Sequence, residues 1–400
     1  MPLVKPFSAL IPAAHLQSSV VTRPLEFYST GEAKLIASEN TYSFLHLINP
    51  ALDHAYLRDM HQDLIYRKIA ENFSTFVNGK VLVPVNRPCY YIYQVTCNGF
   101  TQTGLWTLSN VESYLNGSIK KHELTVERRE KQLADYLQHT GLDANPVLIT
   151  YHPVEAIELL TKKYLKELPV IDFVFTDLTG HKVWLIDDET DINTVTNEIG
   201  KIDSVYIADG HHRAAAMSKM DFFSTVFMNT DEIKVLQFNR LVRDLHGLDK
   251  QGFLARLEKA FILEESDQPV DPDQLHKIGM YLDSQWYILF PKPDAYDAND
   301  PVELLDVSIL QNQLLEPVLG IEDPRTNARI TFEGGITPLA ELVKMVDNEL
   351  YAVAFTLFAV SVEQIINVAD ANKTMPPKST WIEPKFLVGI LTNYCIDTQD

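Results

Sequence analysis

Val205-Tyr206-Ile207-Ala208-Asp209-Gly210-His211-His212-Arg213-Ala214 decides the fold class of this 400-residue chain. Val205 to Ala208 reads as a buried strand, and Ala214 to Lys219 as an Ala-rich helix. Gly210 lets the backbone turn tightly between them. A strand feeding a helix through such a turn is an α/β unit. Elements on either side alternate in the same way. Asn98-Gly99 marks a type I′ hairpin between Tyr90–Thr96 and Phe100–Leu108. Thr179-Gly180 marks a second hairpin between Val170–Thr176 and His181–Ile186. Capping boxes at Ser29-Thr30-Gly31-Glu32 and Ser361-Val362-Glu363-Gln364 open helices. Helices are also expected over His54–Val77, Thr125–Leu137, Val154–Lys166, Thr190–Gly200, Gly252–Phe261 and, long and amphipathic, Val302–Leu319. Tyr42–Ile48 reads as a strand. The acidic stretch Glu264–Asp273 reads as a linker or surface loop, and Pro291–Pro301 as a loop. The expected fold is α/β with a mixed sheet, divided into lobes 1–263 and 264–400.

Composition limits the partners. Lys+Arg 34 against Asp+Glu 54 gives 34 − 54 = −20. A phosphate backbone needs a basic face, so nucleic acid is not an expected partner. Three cysteines (Cys89, Cys97, Cys395) make no disulfide framework and fit a reducing compartment. The longest apolar run, Tyr351–Val360, is too short to span a bilayer, and the first residues lack the apolar core of a signal peptide. A cytoplasmic protein with no membrane partner is expected. Nothing in the sequence fixes an oligomeric state.

Two segments concentrate chemistry. In Asp209-Gly210-His211-His212-Arg213, N–H groups at a helix start face an anion, and Arg213 offers a fork suited to phosphate. Asp209 ends its strand, where α/β sites form. It could hold a metal or accept a proton. His211 and His212 suit phosphate contacts or acid–base work near neutral pH. The plain alternative is an Asp209 cap on an ordinary helix. The second segment is Met375-Pro376-Pro377-Lys378-Ser379-Thr380, followed by Glu383-Pro384-Lys385. Prolines stiffen it, and Lys378, Ser379 and Thr380 are phosphate-binding types. A surface-hugging tail would look the same. His122-Glu123 could supply a general base or a ligand pair, although such pairs are more often solvated charges.

Taken in order, Lys5-Pro6-Phe7, Asn40-Thr41-Tyr42-Ser43-Phe44-Leu45-His46, His122-Glu123-Leu124-Thr125, Ala208–Ala214, Met375–Thr380 and Glu383–Lys385 resemble the bacterial family known as domain of unknown function 1015 (DUF1015). That family is similar to the free serine kinases of the ParB/sulfiredoxin superfamily. The resemblance implies a ParB/sulfiredoxin-like core elaborated by further helices and hairpins. It places nucleotide phosphates on Gly210, His211, His212 and Arg213. It implies ATP or ADP with Mg²⁺, and a small hydroxylated substrate such as free L-serine. Lys378, Ser379 and Thr380 would return to that site. The family's N-terminal Pro-Pro-Tyr-Asp-Val stretch is here Arg23-Pro24-Leu25-Glu26-Phe27. Glu26 would be the base toward the acceptor hydroxyl, with Glu123 second. The expected activity is a nucleotide-dependent small-molecule kinase. A nucleotide-binding regulator and a nucleotide hydrolase are the alternatives.

Overall fold

A computed structural model describes residues 1–52, 54, 61–383 and 385–395. The chain divides into two compact units. The first comprises Met1–Lys120, Thr125–Ile233 and Pro384–Asp400, and the second Lys121–Leu124 and Lys234–Glu383.

The first unit is built on a nine-stranded sheet. Its order is Ile119–Lys120, Val205–Asp209, Val147–Tyr151, Phe222–Asn229, Phe100–Asn110, Tyr90–Cys97, Gly180–Ile186, Ile171–Val174, with Val4–Lys5 also on Phe100–Asn110. Val205–Asp209 runs parallel to Ile119–Lys120, and Phe222–Asn229 parallel to Val147–Tyr151. The other pairings are antiparallel, so the sheet is mixed and the α/β expectation holds. Tyr90, Ile92, Ile149, Ile207 and Phe227 are fully buried in its core, with Val195 and Ile199 of helix Glu189–Gly200. A second cluster joins Phe44, Leu47 and Ile69 to Val388 of the returning chain. The Asn98-Gly99 hairpin forms as expected, with φ of 51° and 78° at its two turn residues. Gly141, in the left-handed region, closes helix Glu127–Thr140.

The second unit holds a six-stranded antiparallel sheet in the order Phe261–Ser266, Gln285–Pro291, Ile278–Leu282, Val353–Thr356, Phe238–Val242, Ile330–Gly334. The interior strand Phe238–Val242 belongs to this sheet, so the division falls at 233/234 and not at 263/264. Glu264 and Glu265 are exposed on an edge strand, where charge discourages further pairing. The stretch expected as a linker therefore begins inside a strand.

Two further expectations fail on periodicity. Tyr42–Ile48 is not a strand. Leu45–Ile48 forms a short helix, and Phe44, Leu45 and Leu47 are all fully buried, an arrangement that alternation across a sheet would not give. Val302–Leu319 is not one amphipathic helix. Asp306–Leu310 is α-helical and Gln311–Leu315 is a π-turn, with Glu316 N–H donating five residues back to Gln311 O at 3.0 Å. Every residue from Leu305 to Leu310 is buried, so there is no solvent face. Part of the expected helix His54–Val77 lies outside the described residues, and Gln62–Asn78 is its observed extent.

Candidate functional site

The strand Val205–Asp209 ends at a half-buried carboxylate. Gly210 follows at φ +97°, a conformation that side chains with a Cβ rarely adopt. Its position also makes room: a Cβ there would lie 2.8–2.9 Å from the guanidinium of Arg213. The chain then enters helix His211–Ala216.

Arg213 turns back across the glycine. Its Nη2 donates to Asp209 Oδ2 at 2.6 Å, and its Nη1 to Asn145 Oδ1 at 2.5 Å and to the carbonyl of Pro146. Lys385, on the segment that rejoins the first unit, donates to Asp209 Oδ1 at 2.9 Å. Asp209 thus accepts two cations, one on each oxygen. Burial alone would raise its carboxyl, but Lys385 and Arg213 hold it well below the usual carboxylate range. The Arg213 and Lys385 side chains are 19% and 22% exposed. The cluster carries one positive charge in excess at a strand end.

His211 is buried. His212 Nδ1 accepts the N–H of Val126 at 3.2 Å, which puts the proton of the neutral ring on Nε2. Beneath the cluster, Asp143 accepts the N–H of Ser224 at 2.7 Å. Burial pushes its carboxyl up to about 7, against the opposing pull of that N–H and of Arg213. A raised folded value means stability that is complete below the unfolded carboxyl range and is lost as pH climbs through about 7. Asp143→Asn is therefore expected to gain stability relative to the parent at pH 8 and not at pH 4. Urea midpoints at the two pH values check this.

The other anticipated residues fall elsewhere. Glu26 is exposed in the short turn Leu25–Phe27 of the first unit. His122 and Glu123 belong to the second unit, as does the Met375–Thr380 segment. These two motifs meet: Met375 N–H donates to His122 O at 2.8 Å, and His122 is 1% exposed. Lys378 is exposed with φ +57°. Its carbonyl accepts from Arg240 Nη2 at 3.0 Å, and its Nζ lies 5.4 Å from the Phe238 ring centroid. Ser379 is buried, its Oγ donating to Pro376 O at 2.6 Å. Thr380 is half-buried. Arg240 is fully enclosed, and burial lowers it to about 9.

Sequence reasoning thus missed the roles of Lys385, Asn145 and Asp143. Only Lys385 lay inside a quoted motif, two residues after Glu383. A Mg²⁺ ion held by protein carboxylates does not fit here. Both oxygens of Asp209 already serve cations, and among the described residues no group of three or more His, Cys, Asp or Glu side chains converges.

Residues 4–308 match the family described as protein of unknown function (DUF1015), and the chain belongs to that family. No curated protein matches it in sequence. Solved structures similar to it include a mutant free serine kinase in complex with AMP, 13% identical with a TM-score of 0.40, covering 71% of this chain and 92% of that one. A conserved hypothetical protein from Pyrococcus furiosus is 13% identical at a TM-score of 0.37, over 70% and 91%. SbnI with a C-terminal truncation, from Staphylococcus aureus, is 12% identical at 0.39, over 74% and 90%. No helix among the described residues is long and apolar enough to cross a membrane.

Proposed function

We propose that this protein is a nucleotide-dependent kinase acting on the hydroxyl of a small metabolite, with free L-serine as one acceptor to test. The observation that carries the reading is the Asp209–Arg213–Lys385 cluster, two cations on one carboxylate at a strand's end, in a chain of net charge −20. An excess positive charge held there, against the sign of the whole chain, suits a phosphate group. Phosphoryl transfer asks mainly for positioning and charge neutralisation, which such a cluster supplies.

In this reading Lys385 and the N–H groups after Gly210 contact the phosphates of ATP or ADP. His211 and His212 line them. Arg213 is a positioning residue, because the guanidinium expected to grip phosphate braces the turn instead. Lys378, Ser379 and Thr380 are proposed as further phosphate contacts. Glu26 is proposed as the base that takes the acceptor's proton, with Glu123 beside His122 as the second choice.

The test is the melting temperature of the full chain with ATP, ADP and AMP, with and without Mg²⁺, for the parent and Lys385→Gln. A ligand that binds only the native state raises the melting temperature by mass action. The expected result is a saturable rise in the parent that falls by about half or more in Lys385→Gln, since a charge-assisted contact is worth about 1.5–3 kcal/mol. No rise with any nucleotide overturns the reading. A rise with no phosphorylated product from any hydroxylated acceptor leaves a nucleotide-binding regulator.

A further inference from the structure

The first unit contains a pocket of about 340 Å³, with Arg23 and Tyr28, on either side of Glu26 in sequence, in its wall. Arg23, Tyr28 and Asp177 supply its polar wall, and Val21, Ile36 and Phe175 its apolar one. That volume lies at the small end of ligand sites and suits a metabolite of a few carbons.

The guanidinium of Arg23 is held from one side. Its Nε and Nη2 both donate to Asp177 Oδ2, at 3.2 and 2.8 Å. The other oxygen, Oδ1, accepts the N–H and the hydroxyl of Thr179, at 3.0 and 2.5 Å. Asp177 is thus fully committed, and Thr179 and Arg23 together keep its carboxyl ionised below the ordinary range despite partial burial. It works as an anchor. Arg23 Nη1 has no partner among the described residues, and the side chain is 41% exposed. Tyr28 Oη accepts the N–H of Arg23 at 3.0 Å and lies 3.1 Å from the Thr22 hydroxyl, which fixes the backbone beneath the guanidinium.

Both walls are fixed before any ligand arrives. The side chain of Gln17 pairs with the edge strand like a peptide group, donating to Val170 O at 3.2 Å and accepting from Asp172 N at 3.1 Å. This ties the residues before Val21 to the strand that leads into Phe175. Thr22 and Val388 exchange backbone hydrogen bonds of 3.1 and 2.7 Å. Val388 stands three residues from Lys385, a span of at most about 10 Å. The segment that delivers Lys385 to Asp209 is therefore also tied to the pocket wall.

We propose that this pocket binds a small carboxylate-bearing metabolite, its carboxylate on Arg23 and its carbon skeleton against Val21, Ile36 and Phe175. A carboxylate matches a guanidinium fork with an open edge, and the anchoring carboxylate of Asp177 leaves that edge to the ligand. That the ligand is the phosphoryl acceptor rests on the kinase reading above. That it binds does not.

Calorimetric titration of the full chain tests the assignment, using D-glycerate and L-serine as probes. Ethylene glycol and ethanolamine, the same molecules without the carboxylate, are the controls. The expected result is saturable binding of at least one carboxylate probe, with its control weaker by about tenfold or more. Arg23→Gln and Ile36→Trp, which fills the cavity from the opposite wall, should each weaken that binding by about tenfold or more. Circular dichroism melts identify a variant that merely unfolds, and the folded one of the two then decides. Equal affinity for probe and control, no saturable binding of either probe, or unchanged affinity in a folded variant overturns the assignment. Nucleotide shifts run on the same samples separate the two claims. Nucleotide binding without carboxylate binding overturns the pocket alone, and the converse overturns the kinase reading alone.

Discussion

Arg213→Ala loses about 2–4 kcal/mol of stability, a drop visible in the urea midpoint. The guanidinium spans three acceptors: Asp209, Asn145 and the carbonyl of Pro146. Removing it strips the half-buried Asp209 of one of its two cations and leaves a carbonyl at the start of strand Val147–Tyr151 without its donor. It also empties the space above Gly210, which the guanidinium fills at 2.8–2.9 Å from where a Cβ would stand. Arg213→Lys does not restore the loss, because one ammonium on a flexible stem cannot reproduce a planar fork aimed at three oxygens. A wild-type midpoint in either variant contradicts the bracing role. The same comparison separates bracing from binding: Lys385→Gln removes one contact to Asp209 and leaves those of Asn145 and Pro146 intact, so it costs less stability than Arg213→Ala while lowering nucleotide affinity.

Gly389→Ala is the second large effect, expected at about 2–4 kcal/mol. Gly389 has φ +87°, and a Cβ on it would stand 2.5 Å from Cδ2 and 2.8 Å from Cγ of Phe44. Phe44 is fully buried and cannot move aside without opening the cluster around Leu47, Ile69 and Val388. Two costs therefore add: a left-handed backbone carrying a methyl group, and overpacking of a closed core. Because Gly389 lies one residue beyond Val388, the strain acts on the segment that carries Lys385. The melting temperature and the nucleotide-induced shift should fall together. A shift retained at parental size in a destabilised variant would show that Lys385 keeps its place independently of this packing.

Local signals in the sequence read well. Asn98-Gly99, the two capping boxes and Gly141 each fix a boundary within a few residues, because their physics is confined to a turn. The strand–Gly–helix reading of Asp209 to Arg213 was legible for the same reason. What escaped depended on distant partners. Nothing near Arg213 in sequence announces Asn145 or Pro146, so its bracing contacts could not be read there. Lys385 gains meaning only from a contact made 176 residues away. Tyr42–Ile48 and Val302–Leu319 misled because continuous burial over Ser43–Leu47 and Leu305–Leu310 hides the periodicity on which such readings rest. Glu264 and Glu265 misled in the opposite way, since an edge strand can be as charged as a loop.

The first unit is not continuous along the chain, and this sets an order on its making. Synthesis delivers residues up to 233 first, then Lys234–Glu383 of the second unit, and only then Lys385 and Gly389. At about 5–20 residues per second, the residues of the large sheet exist for about 8–30 seconds before the closing segment does. Throughout that interval Asp209 has Arg213 but not Lys385, Thr22 has no Val388 to pair with, and Phe44 lacks the neighbour that seals it. The positive excess of the cluster and the finished wall of the pocket thus become possible together, once the last segment has been made. A chain truncated before 385 can complete its second sheet and still possess neither.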